Sequence, residues 1–168
     1  MSKRKVDLIV LGPTLPYRGG ISDSNTAFIN SLLKLGLNIK VISFKRLYPN
    51  FLFPGKSQFI NEKLKFEKFE RKLDTINPFG WYRVRKLILK INPKFIIFRY
   101  WTPFLAPLYC FISKKIPQQI KKIAIVDNWI PHEKSLFDKI LNYYFAKNMN
   151  LFITFSKNVS DRIKKSGF

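Results

Sequence analysis

The sequence predicts an α/β fold, an open parallel sheet with helices on both faces, and three observations carry that expectation. Short, continuously apolar runs recur along the chain, as strands buried on both faces require. Segments of helical period lie between them. Glycine and proline punctuate the junctions. Strand and helix alternate in the way that builds a parallel sheet.

Val6–Leu11 is the first run, with Asp7 near its start and Gly12-Pro13 as its stop. A loop from Gly12 to Gly20 follows, and then Phe28, Ile29, Leu32, Leu33 and Leu35 recur at helical spacing before Gly36. Ile39–Phe44 is the second strand, so the first 44 residues make a βαβ unit. Lys45 to Gly55 reads as a long loop with Pro49, Pro54 and three aromatic residues. Leu64–Leu73 alternates weakly and is read as a strand. From Gly80 the period turns helical: Val84, Leu87, Ile88 and Ile91 form one face and Arg83, Lys86 and Lys90 another, and Asn92-Pro93 ends it.

Phe95–Tyr100 is the next strand, and Phe104–Ser113 a helix entered through Pro103. Ile123–Asp127 is a strand whose exit loop holds His132 and Glu133. Leu136, Phe137, Ile140, Leu141, Tyr144 and Phe145 describe an amphipathic helix with that stripe facing the core. Leu151–Phe155 is the last strand, and Ser156 is the N-cap of a final helix with Val159 and Ile163 inward. The run from Phe95 to Ile112 is broken by Arg99, Pro103 and Pro107. A spanning helix needs about 20 apolar residues without such breaks, so the run reads as strand, loop and helix.

With 168 residues the chain is expected to form a single domain, residues 1–168. Its six-residue apolar start is too short for a signal-peptide core. One cysteine, Cys110, excludes an intrachain disulfide and reads as a buried free thiol in a reducing cytoplasm. One histidine leaves no set of ligands for a His/Cys zinc site, and no metal is expected. The net charge of +21 attracts anions such as acidic lipid headgroups, phosphorylated substrates or nucleic acid. Its source also has a compositional reading: the basic residues are 23 Lys against 8 Arg, the mixture an AT-rich coding sequence yields, and not the Arg-rich one that phosphate recognition favours. No RNP-like, helix-turn-helix or zinc-finger pattern is present, and nucleic acid is not an expected partner.

In an open α/β sheet, ligands lie beyond the carboxyl ends of the strands. The least ordinary residues of this chain fall there: Arg18, Gly19 and Gly20 after the first strand, Trp101 after the third clear strand, and Asp127, His132 and Glu133 after the fourth. Gly19-Gly20 before a helix is either an anion site built from backbone N–H groups or a plain turn. It is neither the dinucleotide fingerprint nor a Walker loop.

The segment from Leu11 through Pro16, Arg18, Gly19 and Gly20 to Ser22, followed by a helix ending at Leu35-Gly36, resembles the N-terminal signature of glycosyltransferase family four, which has the GT-B fold. The segments Ser43–Gln58, Phe98–Pro107 and Asp127–Lys134 resemble that family's loops in the same order. The resemblance implies a Rossmann-like N-terminal, acceptor-side half of a retaining glycosyltransferase in cell-envelope polysaccharide or glycoconjugate synthesis. It implies a nucleotide-diphosphate sugar as donor substrate, no cofactor or metal, and a sugar or lipid-linked acceptor.

Under that resemblance Asp127 and His132 would be catalytic. Arg18, Gly19, Gly20, Trp101 and Glu133 would bind substrate. His132 is alternatively a loop cap, and Trp101 alternatively core packing. The C-terminal nucleotide-sugar domain is not in these 168 residues, so the chain is expected to be inactive alone, with a separate C-terminal domain chain as a partner and an exposed apolar patch at the docking face. Phe51 and Phe53, with Arg83, Lys86 and Lys90, would rest on an anionic membrane surface, at the inner face of the cell membrane. The other reading of those charges is a solvated helix face. The alternatives in function are a non-catalytic acceptor-binding subunit of a split transferase and a basic nucleic-acid-binding α/β domain.

Overall fold

Leu8–Leu11 forms β1, fully buried and shorter than its apolar run. The computed structural model describes residues 5–49, 59, 69–129 and 136–168. Asp7 is excluded from the strand because it ties three chain segments together: its carboxylate accepts from Asn38 N at 2.9 Å, and its carbonyl accepts from Lys94 N and Phe95 N. Helix α1 follows at Gly20–Lys34, then β2 at Ile39–Arg46. β2 takes in Lys45 and Arg46, which the sequence placed in a loop. Arg46 grips the carboxylate of Asp74 with Nε at 3.0 Å and Nη2 at 2.7 Å, and this fork holds β2 to its neighbour.

That neighbour, β3, is Glu70–Asp74 and takes in the end of the weakly alternating Leu64–Leu73 run; residues 64–68 lie outside the described residues. Helix α2 runs over Pro78–Ile91 and starts two residues before Gly80, because Asn77 caps it by accepting from Phe79 N and Gly80 N, with Pro78 in the first turn. Asn92 closes it in the left-handed region at φ 50°. β4 is Phe95–Tyr100, a 3₁₀ turn spans Pro103–Leu105, and α3 is Ala106–Ser113. β5 is Lys121–Val126, α4 is Leu136–Ala146, β6 is Leu151–Thr154 and α5 is Lys157–Lys165. Ser156 occupies the N-cap position of α5 without a side-chain cap bond; its carbonyl accepts from Ser160 N instead.

The six strands form one sheet in the order β3-β2-β1-β4-β5-β6, every pair parallel. This is the doubly wound Rossmann order. Alternate residues face opposite sides. Ile9, Leu11, Ile42, Phe44, Ile96, Phe98, Ala124 and Val126 face a core closed by Val84 and Ile88 of α2, Tyr109 and Ile112 of α3, and Phe145 of α4. Leu8, Val10, Val41, Ile97 and Ile125 face the other side, where α1 contributes Ile29. Cys110 is half-buried, and burial pushes its thiol up to about 11, so it is protonated at neutral pH.

Helix α4 departs from its expected orientation. Leu141 and Phe145 of the apolar stripe meet the core, but Leu136, Phe137, Ile140 and Tyr144 are exposed. A buried polar residue sets the rotation. Asn142 accepts from the hydroxyl of Tyr100 and donates to the carbonyl of Trp129, and Phe145 stacks on Tyr100 at 3.9 Å between centroids. Turning the stripe inward would leave the Tyr100 hydroxyl and the Trp129 carbonyl buried without partners, a cost of about 1–3 kcal/mol each. No helix among the described residues is long and apolar enough to cross a membrane.

Candidate functional site

Strand order reverses between β1 and β4, and the crevice there is where ligands bind in this architecture. Three loops meet at that rim. The loop after β1 supplies Pro13, Tyr17, Arg18 and Gly19; the loop after β2 supplies Leu47 and Tyr48; the loop after β4 supplies Trp101. With Gly20, Ile21 and Ser22 of α1 they line a cleft of about 220 Å³.

The first loop is held by its own side chains. Tyr17 donates to the Phe44 carbonyl at 3.1 Å, and Arg71 lies 5.7 Å from its ring centre. Burial raises the Tyr17 pKa, so the phenol stays protonated and keeps its donor. Thr14 donates to Ser43 at 3.2 Å, and Leu15 N donates to Thr26 at 3.1 Å. The far wall is aromatic: Trp101 Nε1 donates to the Tyr48 hydroxyl at 3.0 Å, and Tyr48 stacks on Phe104.

The end of the cleft is polar. Gly19 sits at φ 111°, a conformation that favours glycine, and gives α1 no side-chain cap. The first-turn N–H groups of an α-helix have no intrahelical acceptor. Beside them the hydroxyl of Ser22, in a residue 2% exposed, has no hydrogen-bond partner among the described residues.

Behind this end lies a buried ion pair. Arg99, 1% exposed, donates from Nε and Nη2 to the two oxygens of Asp127, each at 2.6 Å, and from Nη2 to Ser24 at 2.6 Å. Its Nη1 and the Oδ1 of Asn25 have no partner among the described residues. Gly12 permits the arrangement: a Cβ there would lie 2.8 Å from Arg99 Cβ and 2.9 Å from Asn25 Nδ2.

Of the residues singled out in the sequence, Arg18, Gly19, Gly20 and Trp101 therefore share one cleft. Asp127 lies at the same rim, but its carboxylate is clamped by Arg99 and it is not among the cleft-lining residues. His132 and Glu133 lie outside the described residues, as do Phe51 and Phe53. Arg83, Lys86 and Lys90 are exposed along α2, away from the cleft lining. Among the described residues no three His, Cys, Asp or Glu side chains gather as metal ligands would. Sequence reasoning missed Ser22, Tyr48 and Arg99. Arg99 had a visible signal, a lone charge inside an apolar strand, which asks for a buried partner.

No protein-family model matches this chain, and no curated protein matches it. Among solved structures it is similar to the TrkA-N domain of the inner membrane protein YbaL from Escherichia coli. The identity is 10%, 96% of each chain is covered, and the TM-score is 0.48. The assignment to glycosyltransferase family four does not stand. No family model and no curated relative supports it. The sugar-transfer function, the enzyme assignment and the role in polysaccharide synthesis fall with it. The physical reason lies in the motifs. Paired glycines before a helix and an acidic residue after a strand do not by themselves specify a reaction; here they start α1 and neutralise Arg99.

Proposed function

We propose that this domain binds a small phosphate-bearing ligand with a single ring, seated at the crevice between the ends of β1 and β4. The observation that carries the reading is the Ser22 hydroxyl, without a partner among the described residues and buried in the first turn of a helix whose N-terminus lines the cleft. A phosphate oxygen satisfies that hydroxyl and the free first-turn N–H groups together, and the helix dipole favours its charge. The exposed Arg18 adds a guanidinium at the cleft wall. Tyr48 and Trp101 offer an apolar wall to a ring. At about 220 Å³ the cleft is smaller than the roughly 300–1,000 Å³ of drug-sized sites, which limits the ligand to a phosphate and one ring.

Isothermal titration with phenyl phosphate and ribose 5-phosphate tests this, with phenol, ribose and inorganic phosphate as controls. The phosphorylated ring compounds bind, and their unphosphorylated counterparts bind at least about tenfold more weakly, since hydrogen bonds to charged groups contribute roughly 1.5–3 kcal/mol. Ser22→Ala and Arg18→Gln each weaken the phosphate esters and inorganic phosphate without changing phenol or ribose. Equal affinity with and without phosphate, or no effect of either substitution, overturns the proposal.

A further inference from the structure

The geometry of α4 points to a second surface, independent of the cleft: we propose that its outer face docks the protein on an anionic phospholipid bilayer. A helix turns 100° per residue, so Leu136, Phe137, Ile140, Tyr143, Tyr144 and Lys147 fall on one face. Much of that face is exposed, with Leu136 77%, Ile140 51%, Tyr143 51% and Tyr144 53% exposed, and Tyr143 also meets the Phe168 ring at 5.6 Å between centroids. The opposite side is already committed to the core through Leu141, Asn142, Phe145 and Ala146.

The rim of this apolar face is basic. Lys147 Nζ lies 5.8 Å and 5.6 Å from the ring centres of Tyr143 and Tyr144. Lys139 and Lys165 line a groove of about 610 Å³ with Ile140, Tyr143 and Tyr144, and among the described residues no carboxylate lines it. Asp138, the acidic residue of the helix's first turn, projects about 160° or more from Leu136, Ile140 and Lys147 by the same helical geometry.

The occupant follows from charge and from side-chain type. A second copy of this chain would set lysines against lysines in a molecule already at +21. A nucleic acid calls for Arg and polar donors on the contact face, and the stripe offers aliphatic and phenolic groups. Aliphatic residues that enter the acyl boundary, tyrosines at headgroup level and lysines reaching phosphate are the makeup of a helix lying in a membrane interface.

Co-sedimentation of the full chain with phosphatidylcholine vesicles, with and without phosphatidylglycerol, tests the assignment. The chain binds the phosphatidylglycerol vesicles and is released by added salt. Lys139→Glu with Lys147→Glu weakens partitioning by about thirtyfold or more, as two basic residues near an anionic surface imply. Ile140→Ser with Tyr143→Ser and Tyr144→Ser abolishes it while circular dichroism shows the fold kept. Lys86→Glu with Lys90→Glu on α2 has a smaller effect than the α4 lysine pair. Vesicle binding that ignores the α4 substitutions, or absence of binding by the unaltered chain, overturns the proposal. So do α4 substitutions that disperse a dimer, or that release an oligonucleotide, with vesicle binding unchanged.

Discussion

Helices α2 and α4 have similar patterns in sequence and opposite fates in the fold. Both carry an apolar stripe at helical spacing. In α2 the stripe turns inward, Val84 and Ile88 are buried against the sheet, and Arg83, Lys86 and Lys90 are left outside beside Tyr82 and Leu89. In α4 most of the stripe turns outward, and the buried residues are Asn142, Phe145 and Ala146. Apolar area is non-directional and tolerates several rotations of a helix. A buried hydrogen-bond pair tolerates one. Where the sheet surface offers the Tyr100 hydroxyl and a folded-back Trp129 carbonyl, the amide decides the rotation.

Three substitutions test that contrast by equilibrium urea unfolding. Ile88→Ala has the largest effect, about 3 kcal/mol, because it empties a fully buried site on the inward stripe. Asn142→Ala follows at about 2 kcal/mol: it removes few atoms but leaves a buried hydroxyl and a buried carbonyl unpaired. A loss there below about 0.5 kcal/mol would mean that packing of Phe145, and not the amide, sets the rotation of α4. Ile140→Ala, the sequence-level twin of Ile88→Ala, changes stability by less than about 0.5 kcal/mol, since its side chain meets solvent. A cost near that of Ile88→Ala would show the outer face to be covered in the free protein.

The central strands were legible because burial on both faces leaves an unambiguous signature, and Phe95–Tyr100 reads identically in sequence and structure; the edge strands β3 and β6 are only partly buried. Boundaries moved where a single polar group intervened, as at Asp7, which serves three backbone amides, and at Asn77, which caps α2. The location of the cleft was legible too, because sheet topology places Arg18, Gly19, Gly20 and Trp101 at one rim. What they bind was not. Two of the motifs that suggested sugar transfer have structural work here, the paired glycines at the start of α1 and Asp127 in its pair with Arg99. The residues that give this rim its character are Arg99, whose partners lie 75 and 28 positions away, and Ser22, whose hydroxyl has no partner among the described residues. Local sequence shows that Arg99 needs a buried partner but not which residue supplies it, and it gives no sign of the Ser22 hydroxyl.

Gly12 carries a consequence for how ligand occupancy would be felt across the sheet. With the nearest neighbours of a hypothetical Cβ at 2.8 Å and 2.9 Å, the backbone leaving β1 rests directly on Arg99 and Asn25. Any inward settling of the first loop meets the aliphatic stem of Arg99, whose guanidinium tethers the exit of β5. The two strand ends are thereby geared to each other through van der Waals contact, with one hydrogen atom as the clearance.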